Sequence, residues 1–190
     1  VYGYSAPPAN LLQFERDYKN PWLVRSLLEF HFRATDSGIL RQIAHHALAQ
    51  EGDTISADKG AALAVLGYQL LTNDLAVSVN VEQFIQEIDP YVTIPQQTPH
   101  LQRFHVSLAY LKARLLGKIG KFDAALAVLK QVANADLSNF NPSLGTKVVG
   151  AAFEAGLMLA GRGDIVAARD HWRHGVVRAY ALLSSELEEF

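Results

Sequence analysis

Two ten-residue stretches, GKFDAALAVL at residues 120–129 and GDIVAARDHW at residues 163–172, decide the fold of this chain. They lie 43 residues apart and share a glycine first, a bulky apolar residue third, an alanine sixth and a large apolar residue tenth. Glycine permits the left-handed turn between antiparallel helices, and a small alanine lets two helix axes approach. The stretches predict two helical hairpins of one design, each with an apolar face that a stacked neighbour would bury.

Helical spacing after each glycine indicates which residues face the core. The bulky third residue is expected to pack back into its hairpin, and the later apolar residues recur every three or four positions. The predicted inward set is Phe122, Ala125, Leu126, Leu129 and Val132 in the first hairpin, and Ile165, Ala168, Trp172 and Val176 in the second.

Helix start and stop signals recur along the rest of the chain, whereas alternating β-branched runs are hard to find. The sequence predicts an all-α protein, one domain over residues 1–190, with about eight helices stacked as antiparallel hairpins in an α-solenoid. Residues 91–98 lack helical periodicity and are expected to link a degenerate helical half, 1–90, to a more regular half, 99–190. The signals used are a cap at Ser56, a stop at Asp89-Pro90, a start at Thr98-Pro99, and a buried stripe of Phe104, Leu108, Leu111 and Leu115.

Composition excludes several classes of function. Seventeen Lys and Arg against 19 Asp and Glu leave no basic surplus for nucleic acid. The longest nearly apolar run, 148–160, is broken by Glu154 and is too short to span a membrane. The chain has no cysteine, which excludes disulfides and thiolate metal sites and leaves the compartment open, with a preference for the cytoplasm. Because the chain opens on Val1 without a signal peptide pattern, it is expected to be a fragment of a longer or processed polypeptide.

No catalytic, cofactor-binding or metal-binding residues are predicted. His171 and His174 share a helix face, but Arg169 and Arg173 flank them and would repel a cation. Phosphate-binding, hydrolase and zinc-protease motifs are absent from the sequence. A basic face on the last hairpin is expected from Arg162, Arg169, Arg173 and Arg178.

The hairpin residues resemble the tetratricopeptide repeat, most clearly over residues 106–180. The family's small residue, turn glycine and alanine-aromatic-alanine series are matched in type and order in the last unit and in part in the preceding one. The spacing of 43 exceeds the family's 34; armadillo or HEAT-like arrays fit that length better but lack the series. The matching residues are Gly156, Leu159, Gly163, Ala168, Trp172 and Gly175, and before them Ala113, Leu116, Gly120, Ala125 and Leu129.

The resemblance implies a non-catalytic scaffold or recruiting module that binds a protein, a peptide or another domain of its own polypeptide. In this family ligands usually lie on the concave face made by the first helices. The family's carboxylate clamp is not reproduced, because Leu111 and Glu154 stand at its asparagine-like positions. The corresponding face here would contain Ser107, Tyr110, Arg114, Lys118, Phe153 and Leu157.

Two alternatives stay open from the sequence. The helices could close into a bundle around a small molecule or a metal, with histidines and Tyr68 or Tyr110 inside, as in an enzyme. The last helix also keeps apolar residues where a stack would end, so another copy, giving a homodimer, or the remainder of a longer chain would cover them. The residues of this expected oligomer face are Leu182, Leu183, Leu187 and Phe190.

Overall fold

The computed structural model describes residues 44–45, 48–49, 55–72, 80–93, 99–136 and 144–188. Within this part of the chain every regular element is helical, which confirms the all-α prediction. None of the helices in these ranges combines the length and apolar character needed to cross a membrane. The helices are α1 (Ala57–Thr72), α2 (Val81–Thr93), α3 (Pro99–Lys118), α4 (Phe122–Ala133), α5 (Gly145–Gly161) and α6 (Ile165–Glu188).

The chain divides into two compact units, Val1–Val79 and Asn80–Phe190. The helices predicted ahead of residue 44 fall outside the described residues. In the first unit, α1 begins where the sequence predicted, because the Ser56 side-chain oxygen accepts a hydrogen bond from the Lys59 backbone N–H at 3.1 Å. The apolar residues of α1 that are buried are Ala62, Leu63, Val65, Leu66 and Leu70.

In the second unit, α2 continues past the expected stop, so the prediction of a helix end at Asp89-Pro90 is wrong. The extra turn is held by tertiary contacts, since Tyr91 and Val92 are buried and the Tyr91 carbonyl lies 2.9 Å from Nδ1 of His105 in α3. These contacts offset the backbone hydrogen bond that a proline inside a helix removes. The segment expected to link two halves thus begins with packed helix.

The two bends predicted from the sequence are alike in backbone geometry. Gly120 and Gly163 have φ of 78° and 84°, the left-handed conformation that favours glycine. In each bend the glycine N–H and the next N–H donate to carbonyls of the preceding helix, three and five residues back respectively, in the pattern of a Schellman motif. The bends join α3 to α4 and α5 to α6, as predicted.

Consecutive helices from α2 to α6 pack on one another, and α3 also contacts α5. The predicted α3 stripe, Phe104, Leu108, Leu111 and Leu115, is buried. Ala125 and Ala168, the sixth residues of the two stretches, have no exposed surface. Both hairpins therefore place a small residue where two helices meet.

The third residue of each stretch does not pack inward as expected. Phe122 is 48% exposed and Ile165 is 46% exposed, because each begins its helix at the rim of the bend. The Phe122 ring instead contacts the Arg162 guanidinium, whose central carbon is 5.9 Å from the ring centroid. Val176 of the predicted inward set is also exposed, Leu126 and Trp172 are half-buried, and Leu129 and Val132 are buried.

The two hairpins differ in the side chains at equivalent buried positions. The Trp172 indole lies against Gly156 so tightly that a Cβ on that glycine would be 2.2 Å from Nε1. The same Nε1–H donates to the Phe153 carbonyl at 3.2 Å. Ala113 and Leu129 stand 43 residues before this pair, and both are fully buried. The second hairpin thus exchanges an alanine and a leucine for a glycine and a tryptophan.

An ion pair connects each bend to the start of the helix that precedes its hairpin. Lys121 Nζ is 2.6 Å from a carboxylate oxygen of Glu82, and this cation lowers the pKa of the glutamate. Arg162 pairs in the same way with Asp123. The two acids are the second residues of α2 and α4, so the links repeat with the hairpins.

Candidate functional site

The surface predicted to bind a partner lies on α3 and α5, the first helices of the two hairpins. These helices contact each other although they are not consecutive. The hydroxyl end of Tyr110 in α3 lies against Gly150 in α5, where a Cβ would approach it to 2.9 Å. A glycine here lets the tyrosine bridge the two helices.

A three-residue cluster stands at the centre of this surface. The Tyr110 hydroxyl donates to Oε1 of Glu154 at 2.7 Å, and Nε of Arg114 is 3.4 Å from the same oxygen. The guanidinium also lies near the tyrosine ring, with its central carbon 5.8 Å from the centroid. The cluster is half-buried and joins α3 to α5 with charge-assisted contacts.

Around the cluster, the remaining predicted residues differ in accessibility. Lys118 and Leu157 are exposed, and Leu157, one helical turn after Glu154, exposes 63% of its surface. Ser107 is buried and takes no part in the exposed surface, because it lies on the same side of α3 as Phe104 and Leu111. The accessible surface therefore combines one apolar side chain with charged and hydroxyl groups.

Phe153 has a second role that sequence reasoning weighed only as an alternative. Its ring carbon Cε2 would be 3.0 Å from a Cβ on Gly175, so the ring packs against α6. The Phe153 carbonyl also accepts the Trp172 indole hydrogen bond. Phe153 is thus both a packing residue of the second hairpin and an edge of the exposed surface.

Glu154 is the residue of this site that the sequence analysis missed. It was considered only as a departure from the family's carboxylate clamp, whereas it accepts from Tyr110 and pairs with Arg114. The repeat spacing could have revealed it, since Tyr110 and Glu154 are 44 residues apart, within one residue of the hairpin offset. Equivalent positions on neighbouring first helices are expected to lie side by side.

The histidines of the last hairpin serve its packing. Nε2 of His174 donates to the Ala133 carbonyl at 3.0 Å, and Arg178 donates to the Ala135 carbonyl at 2.6 Å, so α6 satisfies carbonyls at the C-terminal end of α4. Burial, with help from Lys130 and His174, lowers the pKa of His171. Within the described ranges no group of three or more His, Cys, Asp or Glu side chains could hold a metal.

The predicted basic face of the last hairpin does not form as one surface. Arg162 pairs with Asp123 at the bend, and Arg178 is half-buried and directed to the end of α4. Arg169 and Arg173 are exposed on α6, and Arg173 pairs with Asp170 one turn away. Packing against α4 divides the four arginines between an inner and an outer side of the helix.

The expected oligomer face needs a correction at Leu182. This residue is half-buried and lies against Gly145 of α5, so it belongs to the hairpin's own packing. Leu183, one residue later and about 100° around the helix, is 64% exposed. Leu187 lies in α6 by its backbone, and Phe190 lies outside the described residues.

Comparisons of this chain with protein-family models, with curated proteins and with solved structures found no match. The tetratricopeptide resemblance therefore stays a prediction that depends on the residues of the two hairpins. The geometry of α3, α5 and their bends is the basis for the functional argument below.

Proposed function

We propose that this chain is a non-catalytic interaction module, in which stacked tetratricopeptide-like hairpins present the α3 and α5 surface to a peptide segment of another protein or domain. The observation that carries the proposal is the pair of equivalent bends at Gly120 and Gly163, with the first helix of one hairpin against the first helix of the next. Repetition of this kind produces an extended surface lined by equivalent helices.

The composition of the surface supports peptide recognition. Leu157 supplies exposed apolar area one helical turn from Glu154, and the Tyr110–Glu154–Arg114 cluster supplies donors and an acceptor. Lys118 adds an exposed cation on α3. Interfaces commonly combine an apolar anchor with a polar rim in this way. The cluster is tied together across α3 and α5, so its side chains are already ordered and a ligand would spend little of its binding free energy on arranging them.

Selection of a random peptide library on the 190-residue chain, followed by titration of the selected peptides, tests the proposal. We expect Leu157→Asp to weaken binding by at least about tenfold, because it places a charge at the apolar anchor. Ala127→Asp is the matched control, since Ala127 is exposed on α4, away from this surface. Both variants should melt within a few degrees of the parent chain.

Three outcomes separate the proposal from its alternatives. Loss of binding in Leu157→Asp alone supports the α3 and α5 surface. Equal affinity of all three proteins would remove this surface from the proposal. Failure to select any peptide that binds reproducibly would count against peptide recognition itself.

A further inference from the structure

The Arg114 guanidinium of the candidate site is held on one edge and open on the other. Its Nε lies 3.4 Å from Oε1 of Glu154, and its central carbon lies 5.8 Å from the centroid of the Tyr110 ring. The side chain is 39% exposed and makes no further polar contact within the part of the chain that the structure describes. The terminal nitrogens Nη1 and Nη2, which carry four of the five N–H donors of a guanidinium, thus have no partner among the described residues.

Contacts between α3 and α5 orient this open edge. The Glu154 oxygen that faces Arg114 also accepts a hydrogen bond from the Tyr110 hydroxyl at 2.7 Å, and that end of the tyrosine lies against Gly150 of α5. Arg114 therefore has its Nε occupied before any ligand binds. A guanidinium that is engaged at Nε presents Nη1 and Nη2 as a fork, and this fork matches the two oxygens of a carboxylate.

The charges of α3 and α5 favour an anionic ligand. Arg114 and Lys118 are four residues apart, so this side of α3 has two positive charges against the single negative charge of Glu154. Lys112 is engaged elsewhere, because its Nζ lies 2.6 Å from a carboxylate oxygen of Asp89 in α2. The whole chain has the opposite balance, with a net charge of -2. The described charged side chains of the two helices are Lys112, Arg114, Lys118, Lys147 and Glu154.

The exposed Leu157 side chain indicates which residue type accompanies the anion. Leu157 follows Glu154 by one helical turn, which corresponds to about 4.5 Å along α5. An extended peptide rises about 3.3 Å per residue, so residues one or two positions apart in a bound segment span this distance. The apolar residue of a ligand is therefore expected within two positions of its acidic residue.

We propose that the α3 and α5 surface binds acidic peptide segments. The side-chain carboxylate of an aspartate or glutamate accepts hydrogen bonds from Nη1 and Nη2 of Arg114, and an apolar side chain within two positions of it packs on Leu157. This inference rests on the proposed function and names the class of peptide that the surface recognises. Glu154 is a positioning residue in this arrangement, since it holds Nε of Arg114 and does not contact the ligand.

Peptides selected from a random library on the 190-residue chain test the inference once they are resynthesised with acetylated and amidated termini. We expect each peptide to contain Asp or Glu. Replacing that residue by Asn or Gln should raise the Kd at least about tenfold, because the charge-assisted hydrogen bonds to Arg114 are lost. Amidation of the C-terminus should leave the affinity unchanged. Binding that requires a free C-terminal carboxylate, or that survives loss of the acidic side chain, overturns the proposal.

Variants of the protein locate the bound carboxylate. Arg114→Gln is expected to raise the Kd of the acidic peptide at least about tenfold, yet to bind the amide peptide as tightly as the parent chain does, which shows that the variant keeps its fold. Arg169→Gln is the matched control, because Arg169 is exposed on α6, and it should bind like the parent chain. Arg114→Lys keeps the charge but removes the fork, so it should retain only part of the affinity. Binding as tight as the parent's by either Arg114 variant overturns the assignment to Nη1 and Nη2.

Failure of this inference is distinguishable from failure of the proposed function. Peptides that Leu157→Asp weakens, but that depend neither on their own acidic residue nor on Arg114, overturn the acidic class and leave the interaction module in place. The absence of reproducible peptide binding, or binding that Leu157→Asp does not affect, removes both.

Discussion

The two hairpins of the second unit share a bend but differ in what surrounds it. The bends at Gly120 and Gly163 have the same backbone hydrogen bonds and nearly the same φ. The α3 and α4 hairpin has buried Ala113 and Leu129 where the α5 and α6 hairpin has Gly156 packed against Trp172. The difference shows that one local turn can be combined with different side-chain packing, provided that the volumes on the two helices compensate.

The largest expected effect tests this compensation directly. Gly156→Ala should reduce the free energy of unfolding by about 2–3 kcal/mol, because the added methyl overlaps the Trp172 indole. In a Trp172→Leu background the same change should cost less than about 1 kcal/mol, since the pair then matches Ala113 and Leu129. Denaturant unfolding of the four proteins gives the coupling. If Gly156→Ala lowers the free energy of unfolding equally in both backgrounds, the size of the side chain at position 172 does not determine the cost of the added methyl.

Replacing each bend glycine tests whether the two bends, which are alike in geometry, contribute equally to the free energy of unfolding. Gly120→Ala and Gly163→Ala should each cost about 1–2 kcal/mol, because the left-handed conformation strains a residue with a Cβ. A Cβ at either glycine meets nothing within 4 Å, so the cost comes from the backbone alone. Gly161→Ala is the control, since that glycine is equally open but helical, and it should be neutral or slightly stabilising. Markedly unequal losses of unfolding free energy at Gly120 and Gly163 would show that the two bends are alike in geometry but not in energy.

The two bends also differ in the residue that follows the glycine, which is Lys121 in one bend and Asp164 in the other. Asp164 accepts a hydrogen bond from the Ala167 backbone N–H at 3.1 Å, whereas Lys121 makes no such cap and pairs with Glu82. Asp164→Ala should therefore cost about 1 kcal/mol of unfolding free energy. Lys121→Ala should cost less, because an exposed ion pair typically contributes under about 1 kcal/mol. Thermal melts of both variants check this order.

The smallest expected effect is a pH dependence from a histidine of the second hairpin. Burial lowers the pKa of His171 below its ordinary 6.5, and Val128 stands 43 residues earlier in α4. Between the folded pKa and 6.5 the unfolded chain binds more protons, so the stability of the protein should fall as the pH drops through this window. His171→Gln should make the free energy of unfolding less dependent on pH between 7.5 and 5, measured by denaturant titration. An unchanged slope would assign the dependence to other groups.

Several features were predictable because they depend on neighbours in sequence. The cap at Ser56, the bends at the two glycines and the buried stripe of α3 all follow from spacing and from the conformations that particular residues allow. The continuation of α2 through Pro90 was not predictable in this way. Local propensity ends the helix there, and only the burial of Tyr91 in tertiary structure favours one more turn.

The sequence predicted which helices hold the candidate residues, but not how their side chains meet. The repeat assigned Tyr110, Arg114 and Leu157 to the surface of the first helices, and the structure brings Tyr110 and Arg114 together around Glu154. The burial of Ser107 and the inward placement of Leu182 depend on which neighbour covers each side of a helix. Helical periodicity predicts which side of its own helix a residue occupies. Whether that side is buried depends on where the neighbouring helix lies.

The sequence by itself determined the helices and the two hairpin bends, because glycine, alanine and apolar spacing act over a few residues. Tertiary structure alone decided which side chains meet across helices, as in the contacts of Tyr110 and Arg114 with Glu154 and of Trp172 with Gly156. These contacts join residues far apart in the chain. Their geometry depends on how closely and at what angle whole helices pack, and no short stretch of sequence contains that information.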